Sequence, residues 1–180
     1  MGRKATISFG IVIAHHSVPL AIALENLWQA EAEAKEHHSP DLQIAAKDAV
    51  QVRVLYGNGN MLAATAKFDI LNRWRSLLNC KITAEASLTV ALFEQAAYVW
   101  GQHPAPVPEA IGVWVQAFCD RRDLFDGEDN AKGKFQDHLK EFLVAIWQTT
   151  PPQECDRAIE NWLKLAAFVL RNRQIKLGVA

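Results

Sequence analysis

Cysteine is scarce in this sequence, and its placement builds no framework. Cys80, Cys119 and Cys155 are odd in number, far apart and without C-x-x-C spacing. That argues against a disulfide scaffold or a structural zinc site and for three reduced thiols. A surplus of one charge is lacking as well: 19 basic against 20 acidic side chains leave a net charge of −1. No overall electrostatic pull toward nucleic acid follows, and any such contact has to be a local patch. Long apolar runs are missing. The run at 7–14 stops at His15 and His16, too short to cross a bilayer, and no signal-peptide pattern is present. These absences describe a soluble, cytoplasmic protein. Nor is there an Asp–Asp pair anywhere, whereas two-metal chemistry on a triphosphate needs two carboxylates close together.

What is present is apolar mass. Half of the 180 residues are hydrophobic, enough core for one large domain or two small ones. The six tryptophans are a high count, and their large rings suit cores and interfaces, so a protein partner is expected. Trp74, Trp100, Trp114, Trp147 and Trp162 fall on apolar stripes of helical segments, where packing is the ordinary role and a docking face the alternative.

The periodicity changes along the chain. Residues 5–14 (ATISFGIVIA) are rich in β-branched side chains and read as a strand buried on both faces, apart from Thr6 and Ser8. After a turn at 15–18, Pro19 suits the first turn of a helix over 20–38. The Ser39–Pro40–Asp41 run breaks it. Residues 50–56 alternate Val50, Val52, Val54 and Tyr56 against Gln51, Arg53 and Leu55, a strand with one buried face. The turn 57–60 (GNGN) then returns the chain into a partner strand at 61–67. From residue 68 onward helical period dominates, with helices expected near 68–78, 83–101, 108–121, 130–149 and 152–173. The fold class is therefore α+β: a β-α-β-β unit at 1–67, a connecting helix or linker at 68–82, and an all-α bundle at 83–180.

Two stretches of the first half belong together. ATISFGIVIAHHSVPL is followed by AEAEAK at 30–35 and by KDAVQVRVL at 47–55. This order resembles the last third of the GGDEF/nucleotide-cyclase palm, a ferredoxin-like fold in which a T-x-S-x-G-I strand precedes a helix ending in A-x-x-A-K and a final strand. The wording GIVIAHH-x-x-P-L is narrower and is similar to the second palm of the type III CRISPR effector large subunit, in its III-B form. That subunit ends in a helical domain resembling the effector's small subunit, and WLKLAAFVLR at 162–171 resembles its last helix. The chain departs from the pattern at Phe9, where a small residue is usual, in the longer loop between Lys35 and Lys47, and in having no GGDD. On this resemblance the chain starts just after the catalytic hairpin.

The resemblance implies roles for particular residues. Lys35 matches the lysine that reaches nucleotide phosphates; the plain alternative is a lysine placed by the helix dipole. Ser8 is placed near the base or ribose, or is a small polar residue satisfied within the sheet. Gly10 permits close backbone approach, either to a nucleotide or to the helix. His15 and His16 end the first strand, at the pocket edge or in a structural role; as neighbours on an extended chain they point apart and make a poor chelating pair. No catalytic residue and no metal ligand is assigned. His37–His38 suits a helix C-terminus. The segment 126–133 (DGEDNAKG) lacks the regular spacing and final glutamate of a calcium loop. Arg171, Arg173 and Lys176 read as a solvated helix end before RNA contacts.

Function then follows from the family. The parent subunit converts ATP, with magnesium or manganese, into cyclic oligoadenylate when target RNA binds. This chain is expected to supply one wall of that ATP pocket and a docking domain, with no cofactor and no activity alone. Its partners are the other effector subunits, including the small subunit, the upstream half of the large subunit, and guide and target RNA indirectly. The competing reading is a non-catalytic helical adaptor with a degenerate palm remnant. A first strand left without its neighbours should pair with another chain.

Overall fold

The computed structural model describes residues 6–38, 46–80, 88–121 and 129–173. They form an α+β structure in which a three-stranded mixed sheet is joined by six α-helices, and 65% of the described residues are helical. Strand β1 (Phe9–Ala14) leads into helix α1 (Leu20–Glu36), which returns the chain to β2 (Ala49–Leu55); β3 (Met61–Lys67) follows across a hairpin. Helices α2 (Phe68–Leu78), α3 (Val90–Gln102), α4 (Ile111–Asp120), α5 (Asp129–Thr149) and α6 (Cys155–Asn172) complete the chain. Short 3₁₀ turns at Pro108–Ala110 and Pro152–Glu154 lead into α4 and α6, each with proline at its first position, where a missing N–H costs nothing.

The sheet order is β1-β2-β3. Because α1 carries the chain back, β2 lies parallel to β1, with Phe9 beside Val50 and Ile13 beside Val54. β3 is antiparallel to β2, with Val54 beside Leu62 and Val50 beside Ala66. The turn between them is closed by Tyr56 N–H donating to Asn60 O at 2.9 Å. Gly59 takes a φ of 85° there, a conformation that favours glycine.

The side-chain period of two sorts the sheet into two faces. Val54, Leu62, Ala64 and Ala66 point to the helical side and belong to one buried cluster with Ile70, Leu92, Phe93, Trp100, Ile159 and Trp162. The small side chains of β3 let α6 approach closely. Its Trp162 is fully buried and donates Nε1–H to Thr65 O at 2.9 Å, while Asn161 Nδ2 donates to Ala63 O at 2.8 Å. These two side chains occupy carbonyls along the edge of β3 that no strand of the described residues covers, so that edge is blunted. Trp74 and Phe142 pack edge-on against the same indole, with centroids 5.3 and 6.1 Å away.

Three expectations are corrected. β1 is not buried on both faces: it is the edge strand of the described sheet, and Phe9, Ile11 and Ile13 on the helical side stay 40 to 47% exposed, although Phe68 at the start of α2 packs edge-on against Phe9 with centroids 5.5 Å apart. β2, in contrast, is buried on both faces, including Gln51 and Arg53, because α1 covers the side that was expected to meet solvent. The third helix starts at Val90, since Thr89 is extended and its Oγ1 accepts the Leu92 N–H at 3.3 Å as an N-cap. The start expected at Thr83 and the break at Ser39–Pro40–Asp41 lie outside the described residues. Trp74, Trp100, Trp114, Trp147 and Trp162 all pack in or against the core. Trp28, on α1, is the exposed one.

The entry to β2 is strained. Lys47 and Asp48 have φ values of 68° and 55°, the left-handed region that side chains other than glycine avoid. Buried Lys67, the last residue of β3, holds this bend by donating from Nζ to Lys47 O at 2.5 Å and to His37 O at 2.8 Å. Burial lowers the Lys67 pKa, partly opposed by the nearby Asp48 and Asp69 carboxylates. Burial, with Lys67 close by, lowers that of His37 to about 4, so its imidazole is neutral near pH 7.

Candidate functional site

α1 lies directly on β1, and one residue makes this possible. A Cβ built on Gly10 would sit 2.6 Å from Glu31 N and 2.7 Å from Leu27 O, main-chain atoms of α1. The space above Gly10 is therefore filled by the helix backbone. Gly10→Val is expected to push α1 off the sheet and destabilise the chain by about 3 kcal/mol, the upper part of the range for overpacking, as read by urea unfolding. A cost below 1 kcal/mol would show that the helix can move aside freely.

As the crossover between parallel strands, α1 runs antiparallel to β1. Its last turn, with Lys35, therefore comes down at the end where Ser8 enters β1. Ser8 Oγ is buried without a hydrogen-bond partner among the described residues. Lys35 is exposed and pairs with Glu31 one turn earlier, Nζ to Oε1 at 2.7 Å. Ser8, Gly10 and Lys35 thus share one end of the β1–α1 layer.

His15 and His16 lie at the other end, about 20 Å away at 3.3 Å per strand residue. They do not point apart, because the strand has ended: their rings lie 4.1 Å centroid to centroid. His15 Nδ1 is 2.7 Å from Ser17 Oγ, and its N–H donates to Leu55 O at 2.9 Å, so this histidine organises the turn. Beside it is an open cleft of about 380 Å³ between the turn at Ser17–Pro19, Ile22 and Asn26 of α1, and the β2–β3 hairpin. The five expected site residues therefore form two groups rather than one.

Between the groups is a polar network that the sequence reading assigned to solvent. Arg53 donates from Nε to Gln51 Oε1 at 2.7 Å, and from its terminal nitrogens to Asn26 Oδ1, Gln29 Oε1 and Glu33 Oε1 at 2.9, 2.8 and 2.7 Å. Gln51 Nε2 donates to Glu33 Oε2 at 2.6 Å and Thr65 Oγ1 at 2.8 Å. The readable signal was Asn26, Gln29 and Glu33, a polar row at helical spacing that matches two polar residues on one face of β2.

No protein-family model matches the chain, and no curated protein matches it. Among the described residues no group of three or more His, Cys, Asp or Glu side chains is placed to hold a metal ion, and no helix is long and apolar enough to cross a membrane. Arg171 pairs with Glu94, and Arg173 donates to Asn79 Oδ1 at 2.9 Å. Both arginines are thus engaged within the fold, while Lys176 and much of 126–133 lie outside the described residues.

Proposed function

We propose that this chain is part of the large subunit of a type III CRISPR RNA-guided effector complex in the cytoplasm, forming the end of a cyclase-like palm and a helical docking domain. The observation that supports the reading is the β1–α1–β2 crossover, with Lys35 exposed in the last turn of α1 toward the start of β1, in the order in which the resembling motif has these elements; Gly10 serves the packing of α1 on the strand. The Lys35 ammonium, held in an exposed ion pair by Glu31, is a charge suited to the phosphates of ATP. The chain would supply one wall of such a pocket, and on the resemblance the acids that hold its metal ions come from the upstream half. ATP and magnesium or manganese thus belong to the assembled parent, and no chemical step is assigned to this chain.

The test is co-expression with the remaining effector subunits, guide RNA and an upstream palm half. The chain should copurify with the RNA-bearing complex, which should make cyclic oligoadenylate when target RNA is added. The chain alone should make none. Lys35→Ala in the complex should weaken ATP binding about tenfold, the loss expected for one charge-assisted contact. Product from the isolated chain would overturn the reading, and so would failure to join the complex, which is the behaviour of an unrelated adaptor.

A further inference from the structure

Among the described residues no strand pairs with the outer edge of β1, which lies between two largely apolar layers. On the helical side of the sheet Ile7, Phe9, Ile11 and Ile13 line up at strand spacing and are 40 to 58% exposed. On the opposite side, α1 sits over Gly10 and reaches toward β2 with Asn26, Gln29 and Glu33, whose partners are Arg53 and Gln51. At 100° per residue, its other flank carries Leu20, Leu24 and Trp28, followed in the last two turns by the Glu31–Lys35 ion pair, and that flank lies on the outer side of β1. Leu20 and Trp28 are 73 and 66% exposed. Backbone hydrogen-bonding groups on the outer side of β1 thus have no strand partner among the described residues, with apolar side chains above and below.

We propose that a second copy of this chain covers this edge, β1 pairing antiparallel with β1 about a two-fold axis to give a continuous six-stranded sheet. The surface is self-complementary. With the axis at Ile11, Phe9 lies opposite Ile13 of the partner subunit, an aromatic and a β-branched residue on one face. The same operation brings the two α1 flanks together on the other face. Nothing charged stands on β1 between Thr6 and Ala14 to repel the copy, whereas the edge of β3 is already closed by Asn161 and Trp162. The area suffices: at about 200 Å² for a fully exposed large side chain, these seven residues leave roughly 700 Å² of apolar surface per chain. Two copies would bury about 1,400 Å², within the range of specific, stable interfaces. An isologous contact of this kind closes at the dimer. The inference does not rest on the CRISPR reading, and the two compete for this edge: an upstream palm half paired with β1 would displace the second copy.

Sedimentation velocity of the full chain over a hundredfold concentration range tests it. The expected species has twice the chain mass. Trp28→Glu, on an exposed helix position, should raise the dimer Kd about thirtyfold or more, as loss of a central aromatic does, with an unchanged circular dichroism spectrum. Ile11→Lys should do the same. Val113→Glu, an equally exposed apolar position on α4, should leave the Kd unaltered. A chain that is monomeric throughout overturns the proposal, as does a dimer insensitive to both Trp28→Glu and Ile11→Lys.

Discussion

Trp162→Ala is expected to lower stability by about 4–5 kcal/mol, a large part of a typical domain stability of about 5–15 kcal/mol. The indole is completely buried and packs against Trp74 and Phe142. Its removal opens a large cavity where sheet and helices meet and strands the Thr65 carbonyl that Nε1–H now satisfies. Trp162→Phe separates the two effects. It keeps most of the ring but loses the donor, so about 1–2 kcal/mol is expected. Urea unfolding followed by circular dichroism measures both. If alanine costs no more than phenylalanine, the indole is not the centre of the shared core.

Arg53→Met should be the next most damaging change, at about 3 kcal/mol. The guanidinium is almost wholly buried and supplies four side-chain hydrogen bonds, to Gln51, Asn26, Gln29 and Glu33. Removing one partner of a buried network costs more than the network is worth, because the others lose their partner without regaining water. The upper end of that range is not reached, because Glu33 is more than half exposed and its carboxylate rehydrates. Arg53→Lys keeps the charge but not the planar fork, and about 2 kcal/mol is expected. Hydrogen exchange of α1 amides reports the local consequence, since the network joins that helix to the sheet. An Arg53→Met protein within 1 kcal/mol of the parent would show that α1 is held by Gly10 packing alone.

Much of the architecture was legible. Two clear periods, two in 50–56 and 61–67 and 3.6 beyond residue 68, with the GNGN turn between strands, located β2, β3 and α2 to within a residue. What misled was the meaning of polarity and apolarity on single strands. Gln51 and Arg53 looked like a solvent face because the residues that satisfy them, Asn26, Gln29 and Glu33, are roughly 20 to 30 positions away, and local pattern does not report such pairing. β1 looked interior because it is apolar throughout, yet its place at the sheet edge depends on which strands pair. Of the site, Ser8, Gly10 and Lys35 fall toward one end of the β1–α1 layer as the β-α-β crossover requires, with Gly10 covered by the backbone of α1. His15 and His16 fall at the far end because six strand residues separate the two groups. The left-handed pair Lys47–Asp48 carries no glycine to announce it.

The closure of the β3 edge by α6 also sets a timetable. Ala63 and Asn161 are 98 positions apart, and Thr65 and Trp162 are 97. On a ribosome adding about 5–20 residues per second, the hairpin emerges on the order of 5–20 s before the helix that seals it. During that interval the nascent chain presents two open strand borders and an alanine-lined sheet surface with nothing upon it. Bringing such distant partners together is also the slow kind of step in refolding. The final helix is thus the latch of this fold, and any chain released before it has emerged should be aggregation-prone.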